Sequence, residues 1–488
     1  MKKERFNPKK IYQKIKAYKK IKKMDLFNEK YYLKKYPHIK NSKISPIDHY
    51  IYHGFKEKKL PCKLFDGNYY LEKYPDVREK NMNPLIHYVL YGIYEKREIN
   101  NKNDIKKEYF ENLFEISKKT EDFVEYNHNL RVNLTEDDIK LIAFYLPQFH
   151  PFPENDEWWG KGFTEWSNVA RAVPYFTGHY QPHRPIDLGY YDLRVIDVQK
   201  RQIELAKKYG IYGFCFHYYN FKGKRLMETP INQFLDNPEE LNFPFCLSWA
   251  NETWSRRWDM HGEDILIEQE YSEDSMEIIK DIARHIKDKR YIKIDNKPLI
   301  LIYRPYLILN PEKTFEKWRK YCKKNNLGNI YLAGVMGRWD DYEYDKLGLD
   351  NIVEFPPNNP TSKIPKTRDT LLKEDNIHFY NLQKFIKNKE YMKGKHINKR
   401  LKTVMPSWDN SARLLENCTI HHGSNPQLYQ KWLENVITFT KQKHKKTEQI
   451  IFINAWNEWA EGCHLEPDTK YGYAYLEATA KAIINTKN

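Results

Sequence analysis

Cysteine is sparse and unpaired in this sequence. Six residues, Cys62, Cys215, Cys246, Cys322, Cys418 and Cys463, are scattered over 488 positions without a C-x-x-C pair or any metal-ligand spacing. No metal site and no cofactor are expected. Cys215 and Cys246 sit in apolar runs and read as small core residues. Cys463 borders two glutamates, which raises the alternative of a reactive thiol. Long apolar runs are missing too: none approaches the ~20 residues of a membrane helix. The N-terminus, "MKKERFNPKKIYQKIKAYKKIKKMDLF", is basic but has no apolar stretch behind it, so it does not read as a secretory signal, and cytoplasmic residence is the expectation. The net charge is +16, yet no RNA- or DNA-binding motif accompanies it, and no nucleic-acid partner is expected. Much of the charge lies in Lys9–Lys23 and Lys441–Lys446 and reads as solvated lysine. The sharper alternative is a basic arm, residues 1–24, making peripheral contact with an anionic membrane.

What is present begins with a repeat. "FNEKYYLKKYPHI" at Phe27 returns as "FDGNYYLEKYPDV" at Phe65, and "PIDHYIYHGFKEKK" at Pro46 returns as "PLIHYVLYGIYEKR" at Pro84, with a constant offset of 38. Such a period means two copies of one supersecondary unit, here over residues 25–100. Each copy predicts a short helix, a Tyr-Pro break, a second helix from Pro46 or Pro84, and a glycine cap at Gly54 or Gly92. The repeated His and Tyr residues read as packing. Residues 101–138 are polar and predict a helical connector.

From Ile139 the rhythm changes. Eight apolar runs follow, starting near Leu141, Ile211, Phe243, Pro298, Ile330, Asn351, Lys402 and Gln449. Amphipathic helical stretches lie between most of them. One begins at a capping Asp192 and stops at Gly210; another follows Asn310 and stops at Gly328. Near-continuous apolar strands alternating with helices imply a parallel sheet covered on its outer side. Eight units over residues 139–488 predict an α/β fold, a (β/α)₈ TIM barrel with long insertions, carrying a small N-terminal α-helical repeat region. An open doubly wound sheet is the alternative, but no Gly-rich phosphate loop follows the first run.

A barrel places its active site at the C-terminal strand ends. The residues expected there are Tyr145, Gln148 and His150; Trp159, Glu165 and Trp166 in the insertion after the first strand; and His217, Tyr218 and Tyr219 from the second. The third supplies Trp249, Asn251, Glu252, Trp254 and Arg257, the fourth Tyr303 and Arg304, and the sixth Glu354. The seventh supplies Trp408, Asp409, Asn410 and Arg413, and the eighth Asn454, Trp456 and Asn457. Nearly every end pairs a Trp or Tyr with an amide, a carboxylate, His or Arg. Aromatic faces stack on sugar C–H surfaces while polar groups bind hydroxyls, so the mixture favours carbohydrate. Glycoside cleavage needs two carboxyls with pKa values pushed apart. "INAWNEWAEG" ends the eighth run with Glu458 and Glu461 three residues apart, close enough to meet if the strand turns into a helical loop. The rival pairing sets Glu252 of "WANETW" across the barrel from one of them. Glu354 and Asp409 are further candidates.

The stretches "IAFYLPQFHPFPENDEWWGKGFTEWSNV", "GHYQPHRPIDLGYYDLR", "GFCFHYYNF", "SWANETWSRRWD", "PSWDNSAR" and "NAWNEWAEGCHLEP" together resemble the WbsX family, which is similar to glycoside hydrolase family 99. The resemblance runs from about Ile139 to Ile484 and implies a (β/α)₈ barrel acting in O-antigen, lipopolysaccharide or other surface-polysaccharide biosynthesis, under the label of glycosyltransferase. The strand-eight motif of family 99 resembles Asn457-Glu458-Trp459-Ala460-Glu461-Gly462. The resemblance implies that Glu458 is the base on a sugar 2-hydroxyl, which attacks C1, and that Glu461 is the general acid and then the base for water. That is hydrolysis with retention, and it needs no metal. A family histidine is Ala460 here, which separates the mannose-specific contacts from the carboxylate chemistry. Glu466 matches a family glutamate expected to shape a subsite.

The leading expectation is a carbohydrate-active enzyme that cleaves or transfers glycosidic bonds of a surface polysaccharide, with an oligo- or polysaccharide substrate that is free or lipid-linked. Two alternatives stand beside it. One is a sugar-nucleotide-dependent glycosyltransferase, although no D-x-D motif follows a strand and no phosphate loop is present. The other is a glycan-binding scaffold without chemistry, in which the repeats dock a partner.

Overall fold

Each of the eight apolar runs forms a strand, and the strands pair in parallel around a closed ring in the computed structural model of the chain. They are β1 (Lys140–Tyr145), β2 (Gly213–Phe221), β3 (Phe245–Trp249), β4 (Lys297–Ile302), β5 (Tyr331–Val335), β6 (Asn351–Val353), β7 (Arg400–Val404) and β8 (Ile450–Ile453). Neighbours in sequence are neighbours in space, and β8 returns to β1 through Lys140↔Ile450 to Ala143↔Ile453. This is a (β/α)₈ barrel, not an open sheet. The structure describes residues 8–24, 26–62, 64–101, 110, 113, 118–256, 261–272, 275–337, 344–358, 377–393 and 397–487.

Helices cover the outer face: α1 (Ile196–Lys208), α2 (Thr229–Asp236), α3 (Met276–Ile286), α4 (Pro311–Lys324), α5 (Leu382–Lys387), α6 (Pro426–Lys443) and α7 (Ala474–Asn485). The helix α1 starts at Ile196, four residues beyond the expected cap. Asp192 instead binds its own loop, accepting from the Arg194 backbone N–H at 2.8 Å. Side chains alternate between the barrel interior and the helix layer. On β1, Phe144 stacks on Phe452 of β8 inside, while Tyr145 packs against Phe214 and Phe216 outside. Cys215 and Cys246 are fully buried side by side on β2 and β3, as small core residues.

The chain divides into two compact units. One comprises Met1–Ile116, Pro174–His179 and Pro365–Glu374; the other comprises Ser117–Val173, Tyr180–Ile364 and Asp375–Asn488. In the first, the repeats superpose in chemistry as well as in sequence. Tyr32 Oη lies 3.0 Å from His49 Nδ1, and Tyr70 Oη lies 3.0 Å from His87 Nδ1. Gly54 and Gly92 are not helix caps. They end a widened turn that continues the helices from Pro46 and Pro84, and a Cβ at either would run into the hydroxyl of Tyr32 or Tyr70. The basic segment is not a free arm where it is described: Pro8–Lys23 is a helix that buries Ala17 and Ile21 in the core of the repeats. The expected connector is only partly described. From Lys118 to Asp138 it runs as turns and extended backbone, not helix, and Val124 pairs with the segment before α7 through Val124 N to Tyr471 O at 3.1 Å.

Candidate active site

The motif after β8 leaves the barrel in a tight hairpin. Asn457–Glu458 pairs antiparallel with Cys463–His464, and a single turn, Trp459–Glu461, joins them. Gly462 closes that turn at φ +56, where a Cβ would stand 3.1 Å from the carbonyl oxygen of Asp409. Glycine therefore lets the backbone of Glu461 accept a 2.7 Å hydrogen bond from Asp409 N–H. This turn sets Glu458 and Glu461 on the same wall.

Arg413 meets them there. Its Nη1 donates to Glu461 Oε1 at 2.6 Å, and its Nη2 donates to Glu458 Oε2 at 2.9 Å. A third carboxylate, Glu165, accepts from Arg413 Nε at 3.1 Å and from Nη2 as well. A planar guanidinium fork suits this multiple recognition. One cation cannot balance three buried carboxylates. Burial, opposed by Arg413 and reinforced by Glu458 and Glu165, pushes Glu461 up from an ordinary 4.5 to about 8. His217 stands 3.9 Å from Glu458 and lies flat on Phe144; burial and then Arg413 pull it down to about 4, so it is neutral. The phenols of Tyr219 and Tyr303 are raised by burial, with Glu458 and Glu252 next in order. Beside them Trp254 packs edge-on against Tyr219 at 5.0 Å and Trp158 at 5.9 Å, and Trp159 faces Arg256 at 5.7 Å.

Glu252 is not part of the Arg413 cluster. It is partly exposed and pairs with Arg304 at 3.2 Å. Gln148 lies near Asn155 at 3.4 Å, and its backbone carbonyl takes the N–H of Glu165. His150 is buried, and burial lowers it to about 4. Asn410 accepts the Thr419 N–H at 2.6 Å, and Trp408 is buried beside it. Arg257 lies outside the described residues.

Several expected site residues face elsewhere because strand side chains alternate. Tyr145, Tyr218 and Trp249 point into the helix layer, where they meet Gln202 of α1, Asp281 of α3 and Trp318 of α4. Glu354 also turns outward and is held by Lys402 Nζ at 2.7 Å; both are buried. Asn251 and Asn454 tie loops, to the Arg304 carbonyl and the Pro356 carbonyl at 2.8 Å each. Trp456 packs on Phe214. Glu466 stands behind the site and shapes no wall of it. It accepts from Trp459 Nε1 at 2.6 Å, Gln202 Nε2 at 2.7 Å and Tyr191 Oη at 2.9 Å, and burial raises it to about 7. Asn457 joins this support by clasping the backbone of Leu146 at 2.8 and 3.0 Å, and Trp166 by donating to the Tyr191 carbonyl at 2.8 Å. Cys463 is buried, its Sγ–H donates to the Asn454 carbonyl, and burial pushes the thiol well up, against the alternative of a reactive thiolate.

Sequence reasoning did not select Gln202, Tyr191, His183 or His464. Gln202 left a signal: it is a polar residue on the buried face of an amphipathic helix. The others gave none without knowledge of their partners.

The model of the family described as glycosyltransferase WbsX matches residues 141–479. Two relatives from strains of Xanthomonas campestris pv. campestris, each described as "Uncharacterized protein WxcX", are 43% identical over 345 residues, which is 70% of this chain and 49% of each relative. The chain thus spans about half the length of the curated relatives it matches. Among solved structures, a "Glycoside hydrolase-like protein" has a TM-score of 0.46 at 15% identity, over 74% of this chain and 98% of its own. The GH99 endo-alpha-mannosidase from Bacteroides thetaiotaomicron has a TM-score of 0.45 at 15% identity, over 73% and 98%.

Proposed function

The chain belongs to the WbsX glycosyltransferase family, and on that premise we propose that it is a carbohydrate-active enzyme that cleaves or transfers glycosidic bonds of a surface polysaccharide, with Glu458 and Glu461 as its reacting carboxyls. The observation that carries this reading is the cluster of three carboxylates on one guanidinium, with Glu461 pushed up to about 8. A carboxyl that keeps its proton at neutral pH can protonate a leaving oxygen. Two carboxyls on the same wall can reach adjacent oxygens of one sugar ring. Glu458 takes the proton of the 2-hydroxyl as that oxygen attacks C1. The C1–O bond breaks, and the leaving oxygen takes the proton of Glu461. Glu461, now a carboxylate, takes a proton from water or an acceptor hydroxyl, which opens the anhydro ring at C1 while Glu458 returns its proton to O2. Arg413 orients both carboxyls, and the aromatic group of Tyr219, Trp254 and Trp158 supplies stacking surface.

The test is incubation of the protein with the host polysaccharide or lipid-linked oligosaccharide, beside a Glu458→Gln/Glu461→Gln double variant, with products mapped by mass. Loss of turnover in the double variant supports the reading. The second reading, a sugar-nucleotide-dependent transferase, is favoured by the family's description. Turnover that requires a nucleotide donor and survives in the double variant replaces the first reading with the second.

A further inference from the structure

Behind the carboxylate cluster, three buried side chains from two distant segments converge. His183 comes from the loop between β1 and α1; His464 and Asp468 come from the hairpin after β8 and its continuation. Their ligand atoms lie within 4.8 Å of one another. The protonation of His464 follows from its partners. Its Nδ1 faces the carbonyl oxygen of Glu466 at 2.9 Å, and a carbonyl only accepts, so Nδ1 carries the hydrogen. Nε2 therefore presents a lone pair. His183 Nδ1–H donates to that lone pair at 2.8 Å, a proton that shifts to His183 Nε2 when a metal takes its place, and Asp468 Oδ2 lies at 3.8 Å. Asp468 is fixed from the other side: its Oδ1 accepts the backbone N–H groups of Lys470 and Tyr471 at 2.9 and 2.7 Å. Both imidazoles are held by stacking, His464 on Trp459 at 3.7 Å and His183 on Tyr180 at 4.2 Å.

We propose that His183, His464 and Asp468 hold one divalent metal ion of the zinc class. Two imidazoles and a carboxylate are a donor set that zinc accepts, with water as a fourth ligand. Tetrahedral zinc at about 2.0–2.1 Å from each donor places the donors about 3.3 Å apart. Two of the three separations, 2.8 and 3.8 Å, fall on either side of that value; the third, His183 to Asp468, lies within 4.8 Å, so shifts of up to roughly 1.5 Å assemble the shell. The outer hydrogen bonds are of the kind that orient metal ligands: a backbone carbonyl on the ring N–H of one histidine and two N–H groups on the carboxylate. The ion does not take part in the proposed glycosidic chemistry. His464 pairs with Asn457 and Cys463 pairs with Glu458 in the same hairpin, so the ion pins the strand that carries the base to a loop some 280 residues earlier (281 between the two histidines).

The test is metal content and metal-linked stability of the full chain. Protein stripped with a chelator and dialysed against micromolar zinc is expected to retain about one equivalent by elemental analysis. Its Tm is expected to rise by several degrees, because the ion binds only the folded state. Cobalt in place of zinc is expected to give the visible absorption of a four-coordinate site. His464→Gln and Asp468→Asn are expected to keep the Tm of the stripped wild type and to lose both the equivalent and the shift. Retention of less than about a tenth of an equivalent by the wild type, with no shift in Tm, overturns the proposal. So does undiminished zinc in the two variants. If either variant fails to fold, the cobalt spectrum of the wild type decides, and its absence overturns the site.

Discussion

At the scale of single residues, burial first and charge balance second set the protonation of Glu461. Three carboxylates share one guanidinium, and Glu461 keeps its proton up to about pH 8. The folded-state value lies above the ordinary 4.5, so the folded state binds this proton more tightly than the unfolded chain does. Its contribution to stability is whole below about pH 4.5 and declines as pH rises toward 8. Glu461→Gln, which mimics the protonated acid, is accordingly expected to melt above the wild type at pH 8.5 and level with it at pH 4, as calorimetry at the two pH values would show. If Glu461 is the acid of the proposed reaction, the same group limits turnover. The rate is expected to fall above pH 8 in the wild type, and Glu461→Gln is expected to lose roughly 10²–10⁴-fold in kcat at neutral pH. Arg413→Met strands three buried carboxylates and is expected to cost about 3–5 kcal/mol by denaturant unfolding. The outward ion pair provides a contrast. Lys402→Met leaves buried Glu354 with Arg400 Nη1, 4.0 Å away, as its next cation, at a cost of about 3 kcal/mol, while Lys402→Met/Glu354→Leu recovers part of it. Neither variant is expected to change glycan binding, because the pair faces α6.

At the scale of elements, the period of the strand decides more than residue type. His217 and Tyr219 point inward from β2 and Tyr218 points outward, although all three are polar aromatics at one strand end. The strand ends were legible as places where function gathers, but which of two adjacent side chains faces the site was not, since that depends on barrel closure. The N-terminal helix makes a related point. Its lysines read as a basic arm, yet Ala17 and Ile21 anchor it, so deletion would remove core as well as charge. Lys16, Lys19 and Lys22 are exposed, or nearly so, on that helix. If the helix contacts anionic lipid, replacing these three by Glu is expected to keep helicity by circular dichroism and abolish low-salt vesicle binding; unchanged binding ends the idea. In the second repeat, Gly92→Ala sets a methyl against the Tyr70 hydroxyl and is expected to destabilise that unit by about 1–3 kcal/mol.

At the scale of the whole molecule, the barrel unit has its own core, a closed ring of strands and helices on its outer face. A chain beginning at Lys118 is expected to fold and melt cooperatively, and calorimetry checks this. The sequence by itself determined the eight strands, their alternation with helices, the doubled repeat and the motif that bears Glu458 and Glu461. These are local signals: apolar runs, turn glycines and a fixed offset survive without knowledge of neighbours. Tertiary structure alone decided that Glu165, 248 positions before Arg413, completes the cluster, that Glu354 belongs to Lys402, and that Glu466 supports Trp459 from behind. A carboxylate's role depends on which cation and how much water it meets, and both are set by segments hundreds of residues away. The surroundings of Glu461 follow for the same reason: a glycine turn and Arg413 join it to Glu458, while Glu252 pairs with Arg304.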